Sequence, residues 1–274
     1  LLGYTDPSDR PEATDVDKIV LKRDNLFWVA NRLGDLSPAG ARDLGLFLGD
    51  TRHLSSWQMS LKAGRPLCLC SQVSTDYIAQ VDFTVPAMHE GDLLGREPVN
   101  YIHLRRDQII DDVFVDRLVL TNFMHHPIDY WIDIAWAADF ADVFEIRGAR
   151  RLKRGRYFAP EVLGNLVRLR YEGLDGRPYL TEIHVEAEPI VGPLVDRPFG
   201  LERLSGSGAR LTFHLKPNES TEAIFSISAG IGEARPRAPR TYHERAQGAR
   251  REYRAWAQSC TQFHSGHDRF DQSL

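Results

Sequence analysis

The chain has 274 residues, of which 42% are hydrophobic, and its formal net charge at pH 7 is −4. This length is enough for one large β domain or two smaller domains. The mixed charges offer no basic face of the kind that binds nucleic acid, and no apolar run reaches the ~18 residues of a membrane-spanning helix. The composition therefore argues against nucleic acid and membranes as partners.

The cysteines and histidines predict no disulfide framework and no metal site. Cys68 and Cys70 alternate along a predicted strand, so their Cα atoms lie roughly 6.5–7 Å apart, beyond comfortable disulfide reach. Cys260 is distant in sequence, and the pairs His125-His126 and His264-x-x-His267 lack further ligands at a useful spacing. No signal-peptide pattern is present. We therefore expect a cytoplasmic protein that uses neither a metal nor another cofactor.

Short apolar runs separated by glycine and proline turns dominate the chain from Lys18 to about residue 232. This pattern predicts a large antiparallel β-sandwich rather than a parallel α/β sheet. The segment 1–17 lacks periodicity and is interpreted as a mobile N-terminal arm. The predicted strands are 19–21, 26–30, 44–48, 53–62 with a bulge, 67–73, 77–85, 101–110, 113–120, 128–138, 165–171, 179–187, 210–215 and 223–229, with a longer loop at 86–98.

The most regular strand leads into the segment Asp139–Gly148, DFADVFEIRG, which we call the acidic segment. Between 128 and 138 every second residue is apolar or small, the period of a half-buried strand. After it, helical spacing begins, and Asp139 is the residue expected to cap a short helical turn. Asp142 and Glu145 are three residues apart and would share one face of that turn.

A different pattern begins near the C-terminal end of the sequence. Residues 233–240 are rich in arginine and proline and are interpreted as a linker. Thr241 and Glu244 form a capping-box pattern, and apolar residues at spacings of three and four predict an amphipathic helix over 241–258.

Four sequence elements together carry a resemblance to a known family. They are the segments 46–52 (LFLGDTR), 104–106 (LRR), 120–122 (LTN) and the acidic segment. In order and spacing, over most of 18–230, they resemble the N-terminal domain of bacterial amylo-α-1,6-glucosidase-type glycogen debranching proteins.

This resemblance implies a β-sandwich that precedes an (α/α)6 toroid carrying the glycoside hydrolase chemistry of carbohydrate metabolism. The domain limits would then be a mobile arm at 1–17, the β-sandwich at 18–232, the linker and amphipathic helix at 233–260, and the start of a truncated helical catalytic domain at 261–274. The resemblance places the catalytic acid and base beyond Leu274, so we expect no catalytic residue in this chain. Its expected partners are that catalytic domain and the α-glucan substrate.

The candidate site residues are open to catalytic, structural and contact roles. Glycosidases need two carboxyl groups roughly 5–9.5 Å apart, a separation that Asp142 and Glu145 permit. Arginines close by in sequence favour structural ion pairing instead, or contact with the catalytic domain or a glycan. The residues proposed to lie at a domain interface or substrate cleft are Asp50, Thr51, Arg52, Asp139, Asp142, Glu145 and Arg147.

One tryptophan is a separate candidate. By alternation Trp131 lies on the outer face of its strand, where its ring could stack on a sugar.

The leading hypothesis from the sequence is a non-catalytic domain that packs on a catalytic domain and shapes its cleft. The alternatives are a stand-alone carbohydrate-binding module and a structural subunit-interaction domain.

Overall fold

A computed structural model of the chain describes residues 18–37, 43–62, 64, 66–87, 99–187, 198–232 and 240–261. The predicted N-terminal arm, most of the 86–98 loop, the linker residues 233–239 and the segment 262–274 lie outside the described residues. So do His264 and His267.

The described chain contains seventeen strands and two helices. The first nine strands are β1 (Lys18–Arg23), β2 (Leu26–Asn31), β3 (Gly45–Leu48), β4 (Thr51–Leu54), β5 (Ser56–Leu61), β6 (Leu67–Thr75), β7 (Ile78–Ala87), β8 (Val99–Ile110) and β9 (Phe114–Asn122). The remaining elements are β10 (Ile128–Ala137), α1 (Val143–Ile146), β11 (Arg156–Tyr157), β12 (Glu161–Leu163), β13 (Leu166–Glu172), β14 (Pro178–Glu186), β15 (Phe199–Ser205), β16 (Gly208–Leu215), β17 (Ser220–Ile231) and α2 (Tyr242–Ser259).

These strands form three antiparallel sheets. The first has the order β1-β2-β3-β4, and the second has the order β15-β16-β10-β5. The third has nine strands, in the order β11-β13-β14-β17-β9-β8-β7-β6, with β12 paired to β13. All recorded strand pairings are antiparallel, which confirms the prediction of a mainly β, antiparallel fold.

Aromatic side chains join the three sheets through a common apolar interior. Trp28 of the first sheet stacks on Phe114 of the third, with ring centroids 3.8 Å apart. Trp57 of the second sheet meets Phe225 of the third edge to face at 5.3 Å. All four rings are fully buried. Inward-facing residues of neighbouring sheets thus interlock as they do in a β-sandwich.

Hydrogen-bonded polar side chains also lie in this interior. We call the group formed by Asp35, Trp57, Arg106 and Asp116 the buried network. Arg106 donates from Nε to both carboxylate oxygens of Asp116 at 3.0 Å and from an Nη to Asp35 at 2.6 Å. Trp57 Nε1 donates to Asp116 at 2.7 Å. Arg106 and Asp116 are both completely buried. Two carboxylates therefore share one guanidinium, and each of the three charged groups is hydrogen-bonded, as burial requires.

The structure corrects one of the predicted strands and fixes the register of another. Residues 53–62 do not form one bulged strand, because the chain leaves the first sheet after Leu54 and enters the second at Ser56. Ser55, at the crossover, donates its amide to the carbonyl of Ala137 at 2.8 Å. In β9 the side chains of Phe114 and Asp116 face the interior. Arg117 lies on the outer face of the strand and pairs with Asp107.

The described residues divide into two compact units, one made of those up to residue 232 and the other of residues 240–261. In the second unit, α2 begins at a capping box formed by Thr241 and Glu244, as the sequence predicts. Of the predicted apolar stripe, Ala249 is buried, whereas Trp256 is 60% exposed. No helix in the described part of the chain is long and apolar enough to cross a membrane.

Candidate functional site: the braced acidic segment

The acidic segment begins where β10 leaves its sheet. Along β10 the buried and accessible residues alternate, as the sequence pattern predicts. The chain then turns at Phe140, whose φ of 44° lies in the left-handed region that non-glycine residues seldom adopt. The single helical turn α1 follows, and Gly148, with φ of 102°, ends the segment in a conformation that favours glycine.

The residue that caps α1 is Asp142, so the prediction that Asp139 caps it is wrong. Asp142 accepts from the amides of Phe144 at 2.8 Å and Glu145 at 2.9 Å. Glu145 reaches back to the Asp142 amide at 3.1 Å, which completes a capping box. The left-handed backbone at Phe140 delays the helix by three residues and frees the carboxylate of Asp139 for another partner.

That partner is Arg52, at the start of β4. Its guanidinium forms a two-pronged pair with Asp139, with Nε 3.0 Å from Oδ1, and also donates to the carbonyl of Leu44 at 3.1 Å. A bidentate arginine–carboxylate pair fixes both position and direction. Arg52 thereby anchors the start of the acidic segment to the first sheet.

Backbone contacts extend this anchoring along residues 50–52. The amide of Arg52 donates to Ala141 O at 2.9 Å, and the amide of Val143 donates to Asp50 O at 2.9 Å. Thr51 and Asp142 form an isolated antiparallel bridge. The two candidate sequence segments, 90 residues apart, are therefore in direct contact.

Basic residues after the acidic segment hold its other side. Arg151 pairs with Asp142, and Arg154 Nε lies 3.2 Å from Glu145. Arg154 and Tyr157 both donate to the carbonyl of Asp139. We call this set of contacts, together with those of residues 50–52, the brace.

Arg147 and Arg150, two arginines close in sequence to these carboxylates, make no ion pair within the described residues. The amide of Arg147 instead caps the end of α1.

The brace also sets the ionisation of its groups. Partial burial acts to raise the pKa of Asp142, but hydrogen bonds from the Glu145 amide and from Arg151 outweigh it and lower this pKa below its ordinary value. Burial raises the pKa of Tyr157 to about 12. A general acid in glycoside hydrolysis needs a carboxyl group with a raised pKa. Asp142 has the opposite character and stays ionised.

Trp131, the predicted sugar-stacking residue, lies half-buried on the outer face of β10. The guanidinium carbon of Arg210 sits 4.3 Å from the centre of its ring, and Arg210 is held there by a two-pronged pair with Asp133 at 2.8 Å. One face of the indole is therefore occupied by a cation.

Sequence reasoning missed the buried network, and it also missed a cavity beside the acidic segment. The signal for the network was present in the sequence, because Arg106 and Asp116 both fall at inward positions of neighbouring strands. The cavity gave no such signal, since its lining comes from four separate stretches of chain. Among the described residues, no group of three or more histidine, cysteine, aspartate or glutamate side chains is placed to hold a metal.

The solved structures that match this chain share little sequence with it. A provisionally named kojibiose phosphorylase from the human microbiome matches with 8% identity and a TM-score of 0.40, over 82% of this chain and 28% of its own. The Slr1438 protein from Synechocystis sp. PCC 6803 matches with 10% identity and a TM-score of 0.43, over 84% of this chain and 99% of its own.

Curated proteins gave no significant match to this chain. A family model does match, and its description is the N-terminal domain of some glycogen debranching enzymes. The match spans residues 21–226, which includes every strand from β2 to β16 and all the candidate site residues. The chain therefore belongs to the family of N-terminal domains found in glycogen debranching enzymes.

Proposed function

We propose that this chain is a non-catalytic β-sandwich domain of a cytoplasmic glycogen-debranching glycoside hydrolase. The parent protein hydrolyses α-1,6 branch linkages of α-glucan by means of an (α/α)6 catalytic domain that follows in the same chain. Residues 18–232 form the sandwich, 233–260 the linker and helix, and 261–274 the start of the catalytic domain. The sandwich packs on the catalytic domain and shapes its cleft.

One observation supports the non-catalytic role: all three carboxylates of the acidic segment form ion pairs with arginines. Asp139 is paired with Arg52, Asp142 with Arg151, and Glu145 with Arg154. Asp142 and Glu145 are also joined by their capping box, on one side of a single helical turn. A glycosidase pair must act from opposite sides of the scissile bond, with one member protonated. Asp142 and Glu145 instead lie on the same side of one turn, and the lowered pKa of Asp142 keeps that carboxylate ionised.

The surface beside the brace suits contact with another domain. Phe144 is 62% exposed on α1, and Leu152 is fully exposed in the loop that follows. Arg147 and Arg150 lie between them in sequence. Apolar side chains surrounded by arginine are typical of protein interfaces. We therefore assign the contact with the catalytic domain to this surface, with Asp50, Thr51 and Arg147 at its margin.

Hydrolysis assays on the isolated chain test the catalytic part of this proposal. We expect no release of sugar from a branched α-glucan at any protein concentration. Hydrolysis that disappears in Asp142→Asn or Glu145→Gln would overturn the non-catalytic role.

The interface is tested in the full-length protein with Phe144→Ser. Loss of the apolar contact should lower the melting temperature of the catalytic domain or weaken substrate binding. Leu174→Ser is the matched control, because Leu174 is 70% exposed in the turn between β13 and β14. Equal effects of the two substitutions would contradict an interface at Phe144.

A further inference from the structure

A cavity of about 240 Å³ lies at the end of β10, beside the acidic segment. We call it the aromatic pocket. Its main lining residues are Trp136, Phe140, Tyr157, Phe158, Arg170 and Ser207. They come from the end of β10, from the chain around β11, from β13 and from the β15–β16 turn.

The aromatic walls of this pocket are held in place by the core. Phe140 stacks on Tyr171 with ring centroids 5.5 Å apart and planes inclined by only 7°. Trp136 stacks on the buried Trp57 at 5.5 Å and donates its indole N–H to Gly206 O at 3.0 Å. Rings fixed in this way lose little freedom when a ligand binds. Trp136 and Phe140 are only 3% and 4% exposed, so they form the floor of the pocket, and the ring open to the C–H face of a sugar is Tyr157, which is 45% exposed.

The backbone of the pocket is adapted to keep these walls close together. Phe140 is held with positive φ, and strain of this kind persists only where the surroundings enforce it, often at ligand sites. At Gly206 an added Cβ would lie 2.5 Å from Cβ of Pro160, so only glycine lets the β15–β16 turn approach this closely. Both features belong to residues that line the cavity.

The polar groups of the lining favour a neutral ligand with hydroxyl groups. The charged side chain of the lining is Arg170, which is already paired with Glu161. Its guanidinium carbon also lies 5.1 Å from the centre of the Phe158 ring. An anion would have to compete with Glu161 for this cation. A hydroxyl group can instead accept from a remaining guanidinium N–H, and Ser207 can serve as a further donor or acceptor.

We propose that the aromatic pocket binds one glucosyl unit of an α-glucan. The choice of glucan rests on the proposed function, whereas the choice of a neutral sugar ring rests on the lining. The volume is below the ~300–1,000 Å³ of pockets for drug-sized ligands, so one ring fits inside and the rest of the chain extends into solvent. For so small a contact we expect a dissociation constant on the order of 1 mM.

Calorimetric titration of the chain with maltotriose to about 10 mM tests this site, since that is ten times the expected constant. Ser207→Trp should block the pocket from an exposed turn, and Arg170→Met should remove its donors. Trp131→Ala is the control, because it removes the other candidate stacking surface. Melting curves establish that each variant is folded.

We expect saturable binding by the wild type, weakened at least tenfold by Ser207→Trp and by Arg170→Met and retained in Trp131→Ala. The pocket is overturned if the wild type does not bind, if Ser207→Trp binds as the wild type does, or if binding depends on Trp131 instead. If the pocket does not bind sugar and the isolated chain does not hydrolyse glucan, the pocket is refuted and the proposed function still stands. Hydrolysis by the isolated chain would refute the function whether or not the pocket binds sugar.

Discussion

Arg106 and Arg52 each form a two-pronged pair with an aspartate, yet the two pairs have different surroundings. Arg106 and Asp116 are completely buried in the network between the sheets. The side chains of Arg52 and Asp139 are 15% and 29% exposed, and those of Arg151 and Asp142 are 47% and 33% exposed. The same type of arginine–aspartate pair therefore occurs once in the dry interior and once at the surface.

This difference determines what each cluster can do. Burial acts to lower the pKa of Arg106, but Asp116 and Asp35 outweigh it and raise that pKa above its ordinary value. Breaking such a group leaves an uncompensated charge in the interior. The brace keeps water access, so its members can exchange partners at modest cost. We interpret the buried network as a requirement of the fold and the brace as the base of an interaction surface.

The largest effect is expected from Arg106→Met at the buried network. Asp116 would remain buried without its cation, and we expect a loss of about 3–5 kcal/mol in the free energy of unfolding. Urea denaturation at pH 7 measures it. In the double variant Arg106→Met, Asp116→Leu the buried charge of Asp116 is gone, whereas Asp35 still lacks its cation, so only part of the loss should be recovered. Additive losses would show that the unpaired charge is not the cause.

His53 should give the next largest effect, seen as a pH dependence. It lies beside Arg52 in β4 but is completely buried, and burial lowers its pKa to about 4 from 6.5. The unfolded chain therefore takes up a proton near pH 6.5, whereas the folded chain does so only near pH 4. Stability is thus complete above pH 6.5 and is lost as the pH falls from there towards 4.

Between pH 7.5 and 5 this single group should contribute about 2 kcal/mol of the lost stability. His53→Gln should remove that part of the pH dependence, as measured by urea denaturation at the two pH values. An unchanged difference between the two pH values in the variant would show that His53 is protonated in the folded chain.

At the brace, Arg52→Met should cost about 1.5 kcal/mol, since charged hydrogen bonds that are largely shielded from water are lost. Arg151→Met, at the more exposed pair, should cost only about 0–1 kcal/mol. The effect of Arg151→Met should also vanish in about 1 M salt, where the screening length is only ~3 Å. A larger loss from Arg151→Met than from Arg52→Met would reverse the proposed order of the two contacts.

Local patterns in the sequence predicted much of the fold, because they depend on near neighbours. The alternation along β10 and the capping box of Thr241 and Glu244 are of this kind. The cap of α1 lies at Asp142 rather than at Asp139, because the backbone at Phe140 is left-handed, a conformation that a phenylalanine in the sequence does not predict.

The ionic contacts were harder to predict for a related physical reason. In a single strand, an arginine or an aspartate at an inward-facing position suggests that the register has been assigned wrongly. Only the assembled sheets show that the two side chains pair, so the sequence did not predict the buried network. In the brace, Arg154 and Tyr157 reach back to Asp139 and Glu145 through a loop whose course the sequence does not indicate. Family membership located the region, but the geometry showed how its carboxylates are used.

The catalytic constant of the full-length protein on a branched α-glucan tests the central claim most directly. Asn is as good a helix cap as Asp, and Gln preserves a capping box, so Asp142→Asn and Glu145→Gln remove charge while keeping the turn. We predict that kcat stays within about twofold of the wild type in both variants, because a structural role needs no proton transfer. A fall of about 10²-fold or more, the contribution of a general acid or base, would contradict the account.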